Sequence, residues 1–320
     1  MTLPLWVPDM FTQTTNTFVP CRNARITAVA ARYGLTADDI LQSAGFEANS
    51  QNFRVGDGLI KHIQGEHDVV MAQLACYAAL PAHGMAIPEL LCNDDGQWLT
   101  AYDGQLFLAM AYIPGRFYGG TPHELEALSR LIPSLCMALD AVPDAQRALL
   151  PRRPSIVTSY CPQSDYGMFG PELAPLLQEA EPFLVALSQD VVATQARWAP
   201  AACVHIDLHP RNLLWHNDQL FVLDFDSIQQ QALPIALNFA MYKLFRRCIQ
   251  DQQPYAGIMR HIYTALAMTP NPLAAQAEIL FRLLTILAQS SPGNLSVWQA
   301  LIPVHLRGLY EATLLLERMS

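Results

Sequence analysis

The sequence predicts an α+β chain in two parts: a small antiparallel sheet carrying a helix, then a larger, mostly helical lobe. Three observations carry that prediction. The pairs Asp57-Gly58, Asp95-Gly96 and Asp103-Gly104 punctuate short apolar runs, as hairpin turns do. Beyond Gly115 the apolar spacing turns helical and stays so over most of the remaining chain. Between Asn212 and Asp226, however, two short strand-like runs flank a His216-Asn217-Asp218 turn, a lone hairpin in the helical half.

The elements follow in order. Pro4, Pro8 and Pro20 make the first twenty residues read as an irregular arm. Ile26, Val29, Ala30 and Tyr33 recur at helical spacing, with Gly34 as the stop. Runs 51–55 and 59–63 form a hairpin about Asp57-Gly58, and residues 66–80 form a helix ending before Gly84. Strands follow at 98–102 and 106–113, closed by Ile113-Pro114-Gly115. Thr121-Pro122-His123-Glu124 has capping-box spacing ahead of Leu125, Leu128, Leu131 and Leu135. Residues 143–162 read as proline-rich and irregular, and helices are expected at 176–198, 233–250, 257–267, 273–289 and 296–318. The expected divisions are an arm at 1–25, a sheet lobe at 26–112, a hinge at 113–116 and a helical lobe at 117–320.

Composition excludes several classes. Of 320 residues, 52% are apolar and only 15% charged, so the chain can build a substantial core and disorder is excluded. The formal charge of −9, with no Lys/Arg run, argues against a nucleic-acid partner. The longest apolar stretches, such as Ile279–Ala288, are short and interrupted by Arg282, so no membrane span is expected. The amino terminus has neither a basic n-region nor an apolar h-region, and seven cysteines lack any C-x-x-C pair. These features point to free thiols in a cytoplasmic protein.

The polar functional groups concentrate at the interrupting hairpin. Residues 205–212 read HIDLHPRN and residues 222–227 read VLDFDS. The hairpin returns Asp224 beside Asn212, while Asp207 lies five residues before Asn212 on the preceding loop. Two carboxylates and a carboxamide are hard oxygen ligands that suit Mg²⁺, which takes its other ligands from water and substrate phosphates. Phosphoryl transfer is the chemistry implied, with Asp207 available to orient an attacking hydroxyl.

HIDLHPRN followed by LDFD resembles the signature of the aminoglycoside phosphotransferase and choline kinase-like small-molecule kinases. The resemblance implies a two-lobed protein kinase-like fold, Asp207 as the catalytic aspartate, and Asn212 and Asp224 as Mg²⁺ ligands. Asp226 matches an acidic residue of more variable role, and His205 a residue that supports the loop. Lys61, in LIKHI, matches the lysine that holds the nucleotide phosphates. SAGFEANSQNFRV resembles the nucleotide-covering loop, with Ser43, Gly45 and Asn49 at the matching places. LAMAYIPGR resembles the linker that binds adenine, flanked by Met110 and Tyr112.

The resemblance runs from about residue 26 to residue 250, with departures. The family usually has glycine where Ile206 stands, and often glycine where Arg211 stands. The glutamate partner of the lysine has no obvious match: Gln73 falls at its place, with Glu66 and Asp68 nearby. Arg246-Arg247 reads as a solvated helix face that could also meet a carboxylate or phosphate on the acceptor. The implied reaction moves the γ-phosphoryl group of ATP or GTP to a hydroxyl of an amino alcohol, hydroxy amino acid, sugar or aminoglycoside, in a monomer or homodimer. Two rival readings are a nucleotide-binding pseudokinase and a kinase acting on protein side chains.

Overall fold

Tight turns fix the register of the first sheet, and the register decides which face each side chain takes. The computed structural model describes residues 17–36, 39–43, 52–153, 166–198, 201–250, 255–290 and 300–317. They gather into two units, Phe11–Leu150 with Pro210–Asp226, and Pro151–His209 with Ser227–Ser320.

The first unit holds strands β1 (Phe18–Cys21), β2 (Ile40–Ser43), β3 (Asn52–Val55), β4 (Gly58–Ile63), β5 (Leu99–Tyr102) and β6 (Gln105–Ala111). All pairs are antiparallel and the order is β1-β2-β3-β4-β6-β5. Asp103 and Gly104 both take positive φ (51° and 72°), as a two-residue hairpin loop requires. The β3–β4 loop is Gly56-Asp57 rather than Asp57-Gly58, because Val55 pairs with Gly58. Gly56 supplies the positive φ of 58° there.

Residues 18–20, expected to be irregular, belong to β1, which pairs with β2. Pro20 is tolerated because β1 is an edge strand, where one side of the backbone needs no ladder donor. Helix α1 (Ala24–Arg32) starts at Asn23, whose side chain accepts from the Ile26 amide at 3.2 Å. It packs Ile26, Val29, Ala30 and Tyr33 against Phe53, Ile60, Phe107 and Ala109. Since strand side chains alternate, the partners Lys61 and Leu108 point to the face away from α1.

Helix α2 (His67–Ala79) follows, then β7 (Arg116–Phe117) and α3 (Pro122–Asp140). The start of α3 is built on Glu124, whose side chain is fully buried. Its carboxylate accepts from Arg116 Nη1 at 2.5 Å, Gly119 N at 3.1 Å and Thr121 N at 2.7 Å. Thr121 completes the predicted capping box by accepting from the Glu124 amide. One turn of helix, α4 (Asp144–Arg147), interrupts the segment expected to be irregular; 154–162 of that segment lie outside the described residues.

The second unit begins with the long helix α5 (Gly170–Thr194). Strand β8 (Ala201–His205) comes next, and the chain crosses to the first unit for β9 (Leu213–His216) and β10 (Gln219–Val222). Back in the second unit, β11 (Ile228–Ala232) pairs antiparallel with β8. The β9–β10 hairpin is therefore not the lone one expected in the helical half. The β8–β11 ribbon escapes sequence reading because β11 reads IQQQA, yet Gln230 and Gln231 are buried.

Helices α6 (Leu233–Gln250), α7 (Ala256–Ala265), α8 (Pro272–Gln289) and α9 (Leu301–Glu317) complete the unit, with α6, α8 and α9 packed on one another. Asn271 caps α8 by accepting from Ala274 N at 3.1 Å, ahead of Pro272 at the first position. Buried Glu278 is the polar centre of this unit. It accepts from Arg153 Nη2 at 2.6 Å, Gln231 Nε2 at 2.9 Å and Arg282 Nε at 2.7 Å. Among the described residues no helix is long and apolar enough to cross a membrane.

Two predictions follow from this packing. Glu124→Ala strips the anchor from three donors at once and is expected to destabilise the protein by ~3 kcal/mol, the scale of a broken buried ion pair. Urea unfolding with an unchanged m-value checks it; a loss within experimental error would show that water replaces the carboxylate. The second concerns His305, whose Nδ1 lies 2.8 Å from the Leu301 carbonyl. Burial pushes its pKa down from 6.5 to about 4; nearby Lys243 and Arg282 add to this, while Leu301 and Glu278 oppose it. The folded state thus holds fewer protons than the unfolded one. Its contribution is complete above pH 6.5 and is lost as pH falls toward about 4. Urea midpoints at pH 7.5 and pH 4.5 should therefore diverge more for the parent chain than for His305→Gln.

Candidate active site

The β9–β10 hairpin assembles one part of the site by its register alone. Asn217 and Asp218 form its turn at positive φ (48° and 58°), closing His216 onto Gln219. Pairing then runs to Leu213–Val222, and the Leu223 amide donates to the Asn212 carbonyl at 2.9 Å. The next residue is Asp224. Its Oδ2 lies 3.4 Å from Asn212 Nδ2, so the hairpin does return Asp224 to Asn212. Asp224 has φ of 69°, a left-handed conformation that costs a non-glycine residue about 1 kcal/mol and often marks a functional site.

Lys61 meets this hairpin from the sheet. Its ammonium donates to Asp224 Oδ1 and, at 3.0 Å, to Asp226 Oδ2. It also lies 5.4 Å from the ring centroid of buried Phe225. Burial works against the Lys61 charge, but Asp224 and Asp226 outweigh it and hold the pKa above its ordinary value. Asp226 moves upward: burial is the largest cause, Lys61 opposes it and Asp224 reinforces it.

Helix α2 supports the same place. Gln73 is buried and donates from Nε2 to the Asp226 carbonyl at 2.8 Å. Tyr77 donates to the Val222 carbonyl at 2.6 Å and packs its ring 6.0 Å from Phe225. Of the three candidates for the lysine's helix partner, Gln73 alone is buried; Glu66 is exposed and the Asp68 side chain is 92% exposed. The carboxylates on Lys61 come from the hairpin instead.

The other nucleotide-site candidates are spread over the sheet. Met110 is buried on β6, on the Lys61 face by alternation through Leu108. Ser43 is buried at the end of β2, paired with Phe18. Tyr112 stacks under Arg54 at 4.1 Å and meets Phe18 edge-on at 5.9 Å. Gly45 and Asn49 lie outside the described residues.

Asp207 belongs to the second unit, just beyond β8. Its Oδ1 lies 3.1 Å from Arg282 Nη2 and its Oδ2 3.6 Å from His209 Nε2. Arg282 also donates to the Ile206 carbonyl at 3.3 Å, which fixes the loop on α8. His205 is buried beneath that loop. Sequence reasoning missed the Arg282 contact, whose only signal was a lone arginine inside an apolar helix. Arg246 is not on a solvated face: it is buried, with Nε 2.6 Å from Glu311 Oε2. The Arg247 side chain lies outside the described residues.

The donor set can be tested against a divalent cation. Asp224 and Asp226 place two carboxylates against one ammonium; burial raises the Asp226 pKa, Lys61 opposes that shift and Asp224 adds to it. Among the described residues no three His, Cys, Asp or Glu side chains form a metal cluster. The set fits a hard cation that takes part of its shell from water and phosphate, as Mg²⁺ does, rather than a closed protein cage.

Comparison with known proteins bears on the fold and the family. Spectinomycin phosphotransferase in complex with ADP and spectinomycin superposes with a TM-score of 0.69 at 10% identity, covering 92% of this chain and 99% of that one. An amicoumacin kinase in complex with AMP-PNP and Ca²⁺ gives 0.58 at 13% identity, covering 92% and 94%. APH(2")-IIia in complex with GDP and kanamycin gives 0.59 at 14% identity, covering 92% and 99%. At these identities the likeness establishes the kinase-like fold. No curated protein sequence matches the chain. Residues 45–229, more than half of the chain, match the APH family model, and the protein belongs to the phosphotransferase enzyme family.

Proposed function

We propose that this phosphotransferase moves the γ-phosphoryl group of ATP or GTP to a hydroxyl of a small molecule. The observation that carries the reading is the Lys61 ammonium held between Asp224 and Asp226, with Asn212 beside Asp224. A lysine placed this way can exchange a carboxylate for nucleotide phosphate when the nucleotide arrives. Asn212 and Asp224 would hold Mg²⁺, which supplies charge neutralisation on the phosphate oxygens when bound.

Asp207 orients the acceptor hydroxyl and accepts its proton, and Arg282 keeps the Asp207 carboxylate aimed. Met110 and Tyr112 would border the adenine or guanine, with residues 113–116 as the linker between lobes, and Ser43 and Asn49 would cover the phosphates. Among the described residues the cysteines form no disulfide, which accords with a cytoplasmic setting.

A second reading, a nucleotide-binding protein without turnover, rests on Gln73 standing where relatives carry a glutamate. The complete acid, amide and lysine set favours the enzyme.

A coupled nucleotide-consumption assay with Mg²⁺, run across amino alcohols, hydroxy amino acids, sugars and aminoglycosides, tests the assignment. Asp224→Ala is expected to abolish metal-dependent turnover; near-parental activity would sink the metal assignment. Asp207→Asn should lower kcat by roughly 10²–10⁴-fold while nucleotide affinity changes little. Nucleotide binding with no turnover over the whole panel would favour the second reading.

A further inference from the structure

Asp224 holds a conformation that its residue type resists. Its φ of 69° is left-handed, and a non-glycine residue keeps that setting only where the flanking chain is held on both sides. Before Asp224 the hold is the β9–β10 hairpin, with the Leu223 amide on the Asn212 carbonyl at 2.9 Å. Beyond it, Lys61 grips the carboxylates of Asp224 and Asp226. That second hold is the one a nucleotide would loosen, because Lys61 is the group offered to the phosphates.

Helix α2 supplies a hold for which phosphate does not compete. Gln73 and Tyr77 lie four apart, on one face of α2, and both are buried. Tyr77 donates to the Val222 carbonyl at 2.6 Å and Gln73 to the Asp226 carbonyl at 2.8 Å. Two donors one helical turn apart thus bracket Asp224, two residues before it and two after, all within the first unit. Burial and the Asp224 charge push the Tyr77 pKa up, so its hydroxyl stays a donor.

The Gln73 bond also has a chemical requirement. Its acceptor is a backbone carbonyl, so the side chain at this place must carry a hydrogen to donate. An ionised glutamate has the same length but only accepts. It would also bring a further negative charge to a segment where two carboxylates already share one ammonium.

Resting on the kinase reading above, we propose that Gln73 is a positioning residue for the Mg²⁺ ligand Asp224. Its bond to the Asp226 carbonyl, paired with that of Tyr77 to Val222, keeps Asp224 in its left-handed setting when Lys61 turns to the nucleotide phosphates. Glutamine at this place is then a requirement of the site and not the loss of a catalytic pair.

The test reads metal binding rather than turnover. The full chain is titrated with AMP-PNP and GMP-PNP by calorimetry over a range of Mg²⁺ concentrations. The Mg²⁺ concentration that gives half of the tightening is compared among the parent, Gln73→Met, Gln73→Glu and Tyr77→Phe. Losing a residue that orients a metal ligand costs about 10–100-fold in metal affinity, so Gln73→Met should raise this midpoint at least about ten-fold. Gln73→Glu should raise it at least as much, and Tyr77→Phe should move it in the same direction. Metal-free nucleotide affinity should stay close to the parent's. Asp224→Ala should leave nucleotide binding indifferent to Mg²⁺, and adding Gln73→Met to it should change nothing further, unlike the loss of a general packing contact.

An unmoved midpoint in Gln73→Met overturns the inference and leaves the kinase reading standing. So does a Gln73→Glu chain that takes Mg²⁺ more tightly than the parent, since a carboxylate would then serve better than a donor. A fall in metal-free affinity as large as the metal-dependent one overturns it as well, because the bond would then serve the fold alone. If Gln73→Glu does not fold, Gln73→Met and Tyr77→Phe, which bury no charge, carry the measurement. Parental nucleotide binding that ignores Mg²⁺ overturns the metal assignment and the inference with it, and failure of the parent to bind nucleotide overturns the phosphotransfer reading itself.

Discussion

The ion triplet of Lys61, Asp224 and Asp226 constrains the first unit more than any other contact. Removing an ammonium from water costs several kcal/mol unless opposite charge and good geometry compensate, and here both carboxylates come from a segment 163 and 165 residues away. The contact exists only because β4 presents Lys61 on the face opposite α1. A one-residue slip in the β3–β4 register would turn the lysine into the cluster of Ile26, Phe53 and Phe107 and send Ile60 toward the carboxylates. The Gly56-Asp57 and Asn217-Asp218 turns thus decide whether the triplet forms, since each sets the register of a strand that delivers a charge.

The second unit solves the same problem with the signs exchanged. There a buried carboxylate, Glu278, is surrounded by Arg153, Gln231 and Arg282. Arg282 joins Glu278 to Asp207, so Asp207 is oriented by a residue 75 positions later in the chain. A planar guanidinium serves such a bridge because its donors have a fixed fork geometry, which a lysine lacks. Burial of Glu278 thereby fixes the guanidinium that meets Asp207.

Much of this was legible in the sequence where a local rule determines the outcome. Asp103-Gly104, Thr121 with Glu124, and Asn212 with Asp224 across a hairpin are settled by residues within a few positions of one another. Features decided by distant partners were not legible. Strand β1 contains Pro20 and acquires its conformation from β2, while β11 buries glutamines whose pairing with β8 no hydrophobic alternation announces. The Gly56-Asp57 loop shows a finer limit: the sequence offers two adjacent glycine-containing pairs, and only the pairing of Val55 with Gly58 selects one. Arg282 and Lys243 were visible as charges in apolar helices, but their convergence on Phe239 depends on how α6 and α8 cross.

The net charge of −9 is a poor guide to the electrostatics of this enzyme. Much acidity sits on exposed side chains, such as Asp94, Asp95 and Asp103, which are 58–70% exposed and paired with Arg32 or Arg25 at the surface. Salt screens such charges over about 8–10 Å, so they contribute little at a buried centre. What acts there is the short list of enclosed charges. Among the described residues, Lys61 meets Asp224 and Asp226 in the first unit, and Arg282 meets Asp207 and Glu278 in the second. In each unit one cation lies between two carboxylates, so the cost of burying the charge is offset by pairing at short range and not by the net charge of the chain.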